Sequence, residues 1–253
     1  MKHRITTSLL ALLATCGVPA FAASVLPTEA PSAPASAPAP AHGAPTPDPG
    51  GLDQALDLIN AGKPRDAINR ILDGLIARGD ARYARANGPV YCSHTHAEGV
   101  AYAALGIVTT TTRNVTLADG NWADAIFLRG YAEFDLGDFA AAQRDYERAL
   151  ALSPRWPHFL SELGELRLRQ RDWTGALDLF AQARDNAPEI ASPDRVASEL
   201  ARALRGIGYA DVELGRLDEA EAMYRRCLEI DPNDEKARNE LGYVLGLKQK
   251  QAA

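Results

Sequence analysis

From residue 123 onward, small and large apolar residues return at helical spacing, and the pattern itself recurs in units of 34 residues. The segments ADAIFLRGYAEFDLGDFAAAQRDYERALALSPRW (123–156), PHFLSELGELRLRQRDWTGALDLFAQARDNAPEI (157–190) and ARALRGIGYADVELGRLDEAEAMYRRCLEIDPND (201–234) align without a gap. Glycine recurs at Gly130, Gly164 and Gly208, with a fourth at Gly242; alanine at Ala142, Ala176 and Ala220; a large ring at Tyr146, Phe180 and Tyr224. Small residues follow at Ala149, Ala183 and Cys227, and prolines at Pro154, Pro188 and Pro232. A small residue such as Gly130 or Ala142 lets two helices approach closely, and the ring one turn beyond Ala142 fills the space beside it. Each unit therefore predicts a helix, a turn at a residue such as Gly137 or Gly215, and a second helix closed by its proline. Arg171 stands where the second unit should have its turn glycine. Ser192-Pro193-Asp194 begins a ten-residue insertion, predicted to lengthen the next helix at its start with Ser192 as cap.

Upstream the pattern is looser. LDQALDLINAGKPRDAINRILDGLIARG reads as a divergent unit, with Gly62 as turn glycine, Ala67 in the small-residue column and Ile71 in the large one. Its second helix is predicted to run toward the stop at Asn87-Gly88-Pro89. Thr95 followed three residues later by Glu98, just before the run AYAALGIV, predicts a capped helix start, with Cys92 and His94 in the preceding loop and His96 in the first turn.

These columns resemble the tetratricopeptide repeat family, whose unit is a 34-residue helix-turn-helix. The resemblance covers 123–156, 157–190 and 201–234 plus a C-terminal capping helix, so that 123–249 forms the repeat domain, and it implies an all-α helix-turn-helix solenoid. Residues 52–122 are expected to be a divergent helical N-terminal region. The resemblance also implies a groove lined by the first helix of each unit. Phe127, Tyr131, Phe134, Arg169, Arg205, Tyr209 and Tyr243 are the groove positions it offers for a partner, since aromatic and Arg side chains anchor many interfaces. The family's clamp for a C-terminal carboxylate uses a Lys/Asn/Arg set. Here those columns hold Phe127 and Tyr131, Ser161 and Glu165, then Arg205 and Tyr209, so that clamp is not expected.

The start of the chain changes the expected address. Residues 1–22 combine Lys2 and Arg4, an apolar run and Ala20-Phe21-Ala22, which reads as a secretory signal peptide cleaved after Ala22, with a periplasmic or secreted product. The run is too short for a membrane span. Leu13-Ala14-Thr15-Cys16 also resembles the lipobox of bacterial lipoproteins, and lipidation of Cys16 would instead give a membrane-anchored lipoprotein. Residues 23–51 hold eight of the 16 prolines and few large apolar residues, the composition of a disordered Pro/Ala-rich linker. Charge excludes another class of partner. The formal charge of −6 becomes −8 when Lys2 and Arg4 leave with the signal peptide, and no basic stripe remains for nucleic acid.

YCSHTHAEGV (91–100) is the one local candidate for chemistry, with Cys92, His94 and His96 at every second position. A zinc site needs three or four ligands, and a thiol-imidazole pair needs an orienting group; neither completes itself nearby in the sequence. Cys92 and Cys227 are expected to be free thiols, and no metal or cofactor is expected. The reading that follows is a non-enzymatic protein-protein interaction scaffold of the cell envelope, with a protein or peptide partner. The alternatives are an envelope carbohydrate or peptidoglycan-binding module, in which the rings stack on sugars, and a thiol or metal site at Cys92, His94 and His96.

Overall fold

The computed structural model describes residues 49–109 and 114–252; the signal peptide, Cys16 and residues 23–48 of the linker lie outside them. The first helix, α1 (Pro49–Asn60), begins inside the stretch read as linker. Gly62, at φ +71°, reverses the chain into α2 (Pro64–Ala67), which passes through a π-helical turn (Ile68–Leu72) into α3 (Asp73–Tyr83). Ala67 is fully buried as expected, but the buried large residue is Leu72 rather than Ile71. A π turn adds one residue to the helical repeat, so the partner of Ala67 stands five residues on, where the regular units have four.

Beyond α3 the sequence reading needs correction. Tyr91 and Cys92 lie in β1 (Val90–Ser93) and not in a loop. After α4 (His96–Thr109) comes β2 (Thr116–Asp119), which pairs parallel with β1 in the register Val90↔Thr116, Tyr91↔Leu117, Cys92↔Ala118 and Ser93↔Asp119. The fold is otherwise helical, and this strand-helix-strand unit is its single departure among the described residues. Parallel strands need such a crossover helix.

The repeats then follow as three hairpins: α5 (Asn121–Asp135) with α6 (Phe139–Leu152), α7 (Pro157–Arg169) with α8 (Trp173–Ile190), and α9 (Val196–Glu213) with α10 (Leu217–Ile230). Helix α11 (Glu235–Ala252) covers the end, burying Ala237 and Val244 against Tyr224 and Cys227. The glycine columns do what their spacing predicts: a Cβ on Gly130 would come within 2.9 Å of the Tyr146 ring, one on Gly164 within 2.9 Å of Phe180, and one on Gly208 within 2.8 Å of Tyr224. All three rings are buried, each contributing roughly 1.5–3 kcal/mol by removal of apolar surface from water.

Turns and ends are set locally. Asp138 and Asp172 cap α6 and α8 by accepting the Ala141 and Gly175 N–H at 3.0 Å. Gly137 (φ +80°) and Gly215 (φ +75°) make the first and third turns, and Arg171 adopts the same left-handed backbone at φ +61°. Two ends differ from expectation. Pro188 does not close α8 but sits inside it, with the helix continuing to the buried Ile190. Ser192 is not a side-chain cap: its carbonyl accepts from Arg195 and Val196 in a turn, and α9 starts only at Val196.

Candidate functional site

Six of the seven proposed groove side chains are at least partly accessible, five of them on the first helices of the hairpins and Tyr243 on α11. Phe127 is not. It is 2% exposed, its ring 4.7 Å from Phe159, 5.1 Å from His158 and 5.4 Å from Tyr146, so it belongs to the core between the first and second hairpins. Tyr131 is half-buried, and burial beside Asp135 and Glu162 raises its phenol above the ordinary value. The Arg169 guanidinium lies 5.0 Å over the Phe134 ring, a geometry in which ring and cation attract. Arg205 is ion-paired with Asp234, and Tyr209 approaches Trp173 at 6.5 Å. Tyr243 is 36% exposed.

The charges on this face are mutually coupled. Burial pushes the Glu165 carboxyl up, against the pull of Arg202, Arg169, Arg205 and Lys236, while Arg202 is itself bridged to Glu162 at 2.8 Å. Tyr209 feels Glu213, Glu240, Glu165 and Tyr243 after the larger effect of burial. The face is thus a row of rings interleaved with paired charges rather than a field of one sign. Phe139, 40% exposed and edge-on to Phe134 at 5.2 Å, extends it and was not read from the sequence, because it starts a second helix. Beneath the face, His158 is buried between Glu162 (3.8 Å) and Glu199 (3.6 Å), and burial together with Arg202 pushes its ring below the ordinary value. Glu199 is bonded to Arg195 at 2.8 Å.

The Cys92, His94 and His96 side chains do not converge. Cys92 is fully buried in β1, and burial pushes its thiol up to about 12, far from a thiolate nucleophile at neutral pH. His96 is exposed in the first turn of α4. His94 alone is elaborately held: Nδ1 is 2.9 Å from Glu98 Oε2, Nε2 is 3.1 Å from Asp124 Oδ1, and the ring stacks on Trp156 at 4.1 Å. Burial would lower its pKa, but Asp124 and Glu98 overcome that and raise it to about 10. Glu98, fully buried, also accepts the His94 N–H at 2.5 Å and the Tyr102 hydroxyl at 2.7 Å. The Thr95 cap is formed, with its Oγ1 accepting the Glu98 N–H at 3.1 Å and donating to the Ile190 carbonyl at 2.7 Å. This arrangement fastens the strand-helix-strand unit to the repeats, and Cys92 and Cys227 are free thiols. Among the described residues no group of three or more His, Cys, Asp or Glu side chains is placed to hold a metal.

Two family models, both described as tetratricopeptide repeat, match residues 123–156 and 158–233. Of the solved structures, one described as a functional characterization of Pseudomonas aeruginosa pilF is 13% identical, with a TM-score of 0.53 over 79% of this chain and 68% of that one. MamA from Desulfovibrio magneticus RS-1 is 18% identical, with a TM-score of 0.49 over 79% and 84%. The first repeat domain of Spaghetti (RPAP3), bound to the HSP90 peptide SRMEEVD, is 23% identical, with a TM-score of 0.45 over 54% and 98%. At these identities the likeness is one of fold. No curated protein matches the sequence.

Proposed function

This chain belongs to the tetratricopeptide repeat family, and from that premise we propose that it is a non-enzymatic interaction scaffold of the cell envelope, holding a segment of a partner protein on the face of its first helices. The observation that carries the reading is the row Tyr131, Phe134 with Arg169, Tyr209 and Tyr243, accessible side chains held by ring and charge contacts rather than buried. Repeat stacks present such extended surfaces, and rings with Arg groups supply affinity out of proportion to their area. The mixed charge suits a partner helix or extended segment that brings both signs. The signal-like residues 1–22 and the Pro/Ala-rich stretch after them support an exported protein on a spacer, with lipidated Cys16 as the alternative anchor. Among the described residues no helix is long and apolar enough to cross a membrane.

The test is crosslinking in native envelopes followed by affinity capture with wild type and with Tyr131→Ala/Tyr209→Ala. Loss of two anchors at about 2 kcal/mol each should weaken capture by more than a hundredfold. Equal retention of the partners by the folded double variant overturns the assignment of the face. Binding to a glycan array without any protein partner would favour a carbohydrate-binding module instead.

A further inference from the structure

The two most exposed large apolar side chains among the described residues are Val100 on α4 (56%) and Leu117 on β2 (47%). They belong to one patch: Leu117 Cδ1 lies 4.0 Å from where a Cβ on Gly99 would stand, beside Val100, and Val115 packs over Gly106 of the same helix. The backbone beneath this patch is also open. Thr116 donates to the Pro89 carbonyl at 3.0 Å, and because bonding groups alternate along a strand, Thr116 and Ala118 turn their N–H and C=O toward β1. Leu117 therefore turns both of its groups away, and neither has a hydrogen-bond partner among the described residues. The opposite edge of the sheet is covered, since Cys92, fully buried, has its carbonyl bonded by the Ser153 hydroxyl at 2.9 Å.

A two-stranded parallel sheet with a bare edge is unusual, because such pairs are marginal alone and parallel sheets are normally covered. Thr116-Leu117-Ala118-Asp119 has no Lys or Pro to blunt it. We propose that this edge is a self-association site, at which β2 strands of two copies pair antiparallel about a two-fold axis through Leu117. The result is a four-stranded sheet in the order β1-β2-β2-β1. Three features select a second copy over an unrelated strand. An antiparallel pair of facing residues exchanges both N–H···O=C bonds, so one open residue is satisfied in full by its own counterpart. The register sets Asp119 opposite Val115 and Thr116 opposite Ala118, so like charges do not face each other. It also brings Leu117 and Val100 of both copies into one apolar contact, as an isologous interface requires. An unrelated strand would find only this short edge and would have to supply the apolar complement itself.

Light scattering of the full chain over a concentration series should show a reversible dimer. Facing Cα atoms in such a pair are about 5.5 Å apart, within disulfide range, so Leu117→Cys should give a disulfide-linked dimer on mild oxidation. In a Cys16→Ser background the remaining native thiols, Cys92 and Cys227, are buried and do not compete. Leu117→Pro removes only the outward N–H, which edge strands tolerate, and Val100→Lys places charge in the contact; each should weaken the dimer about tenfold or more with the helical spectrum unchanged. A monomeric mass at every concentration, with no 117–117 disulfide, overturns the proposal. So does a dimer indifferent to both Leu117→Pro and Val100→Lys, which would form elsewhere. A Leu117 amide protected from hydrogen exchange in a monomer overturns it too, because the edge would then be covered by another segment of the same chain.

Discussion

In the second hairpin the Phe180 ring lies between Gly164 of its own unit and Gly206 of the next, in a cluster with Leu168, Ala176, Ile207 and Ala210. In the segment 90–119 the equivalent interior holds an imidazole, a carboxylate and a phenol, His94, Glu98 and Tyr102, bonded to one another and to Asp124 and Arg155. The repeats close by shape, a ring over an absent Cβ, and shape recurs with the period of the sequence. The strand-helix-strand unit closes by charge and hydrogen bonding, which are specific to one place and cost heavily if one member is lost. The two regions should therefore fail differently.

The largest effect is expected at Phe180→Ala, which empties a site walled by two helix backbones that have no side chains with which to fill it. A loss of about 4 kcal/mol, read from urea denaturation, would fit the measured range for buried rings. A loss below about 1 kcal/mol would show that the hairpins relax, and that shape is not what holds them. Next comes His94→Ala, which leaves the buried Glu98 without its partner at a cost of about 3 kcal/mol. Amide exchange should accelerate in β1, α4 and β2 while α9 and α10 stay protected; uniform acceleration would mean that the two regions are not separable.

The same histidine sharpens the contrast through pH. Its folded value of about 10 lies above the ordinary 6.5, so the stabilisation is complete below pH 6.5 and declines as pH rises toward 10. Wild type should lose stability over that window relative to His94→Gln, and parallel profiles would remove the ion pair from the account. The smallest effect concerns the turns. Arg171→Gly should stabilise by about 1 kcal/mol, because a side chain at φ +61° is strained where Gly137 and Gly215 are not. No change in the urea midpoint would mean that the second turn is held by its neighbours.

What could be read from the sequence follows the same division. The hairpins, their turns, the ring-on-glycine packing and the Thr95 cap depend on residues a few positions apart, and each was visible as a column or a spacing. Phe127 was misplaced because periodicity gives the angle of a side chain around its helix, and the boundary between groove and core depends on Phe159 arriving from the next helix. Pro188 reads as a stop by local rules, yet burial of Ile190 and the bond from Thr95 to its carbonyl come with a helix carried past it. The π turn changes spacing by a single residue, without a composition signal. β1 is four residues long, and its partner lies across a 14-residue helix, so Val90-Tyr91-Cys92 offered β-prone residues but no alternation long enough to read. The accessible positions on the first helices were legible as a helical spacing, although Phe139 needed the turn geometry to reach them.

The Thr95 hydroxyl ties the start of α4 to the end of α8, a separation of 95 residues, and Cys92 waits similarly for Ser153, 61 residues on. A chain made from its N-terminus therefore presents the strand-helix-strand unit long before its anchorage exists. The regular hairpins can close as they emerge, whereas this unit is not fully anchored until the second repeat is nearly finished. A unit synthesised before any of the regular repeats is thus among the last to be locked.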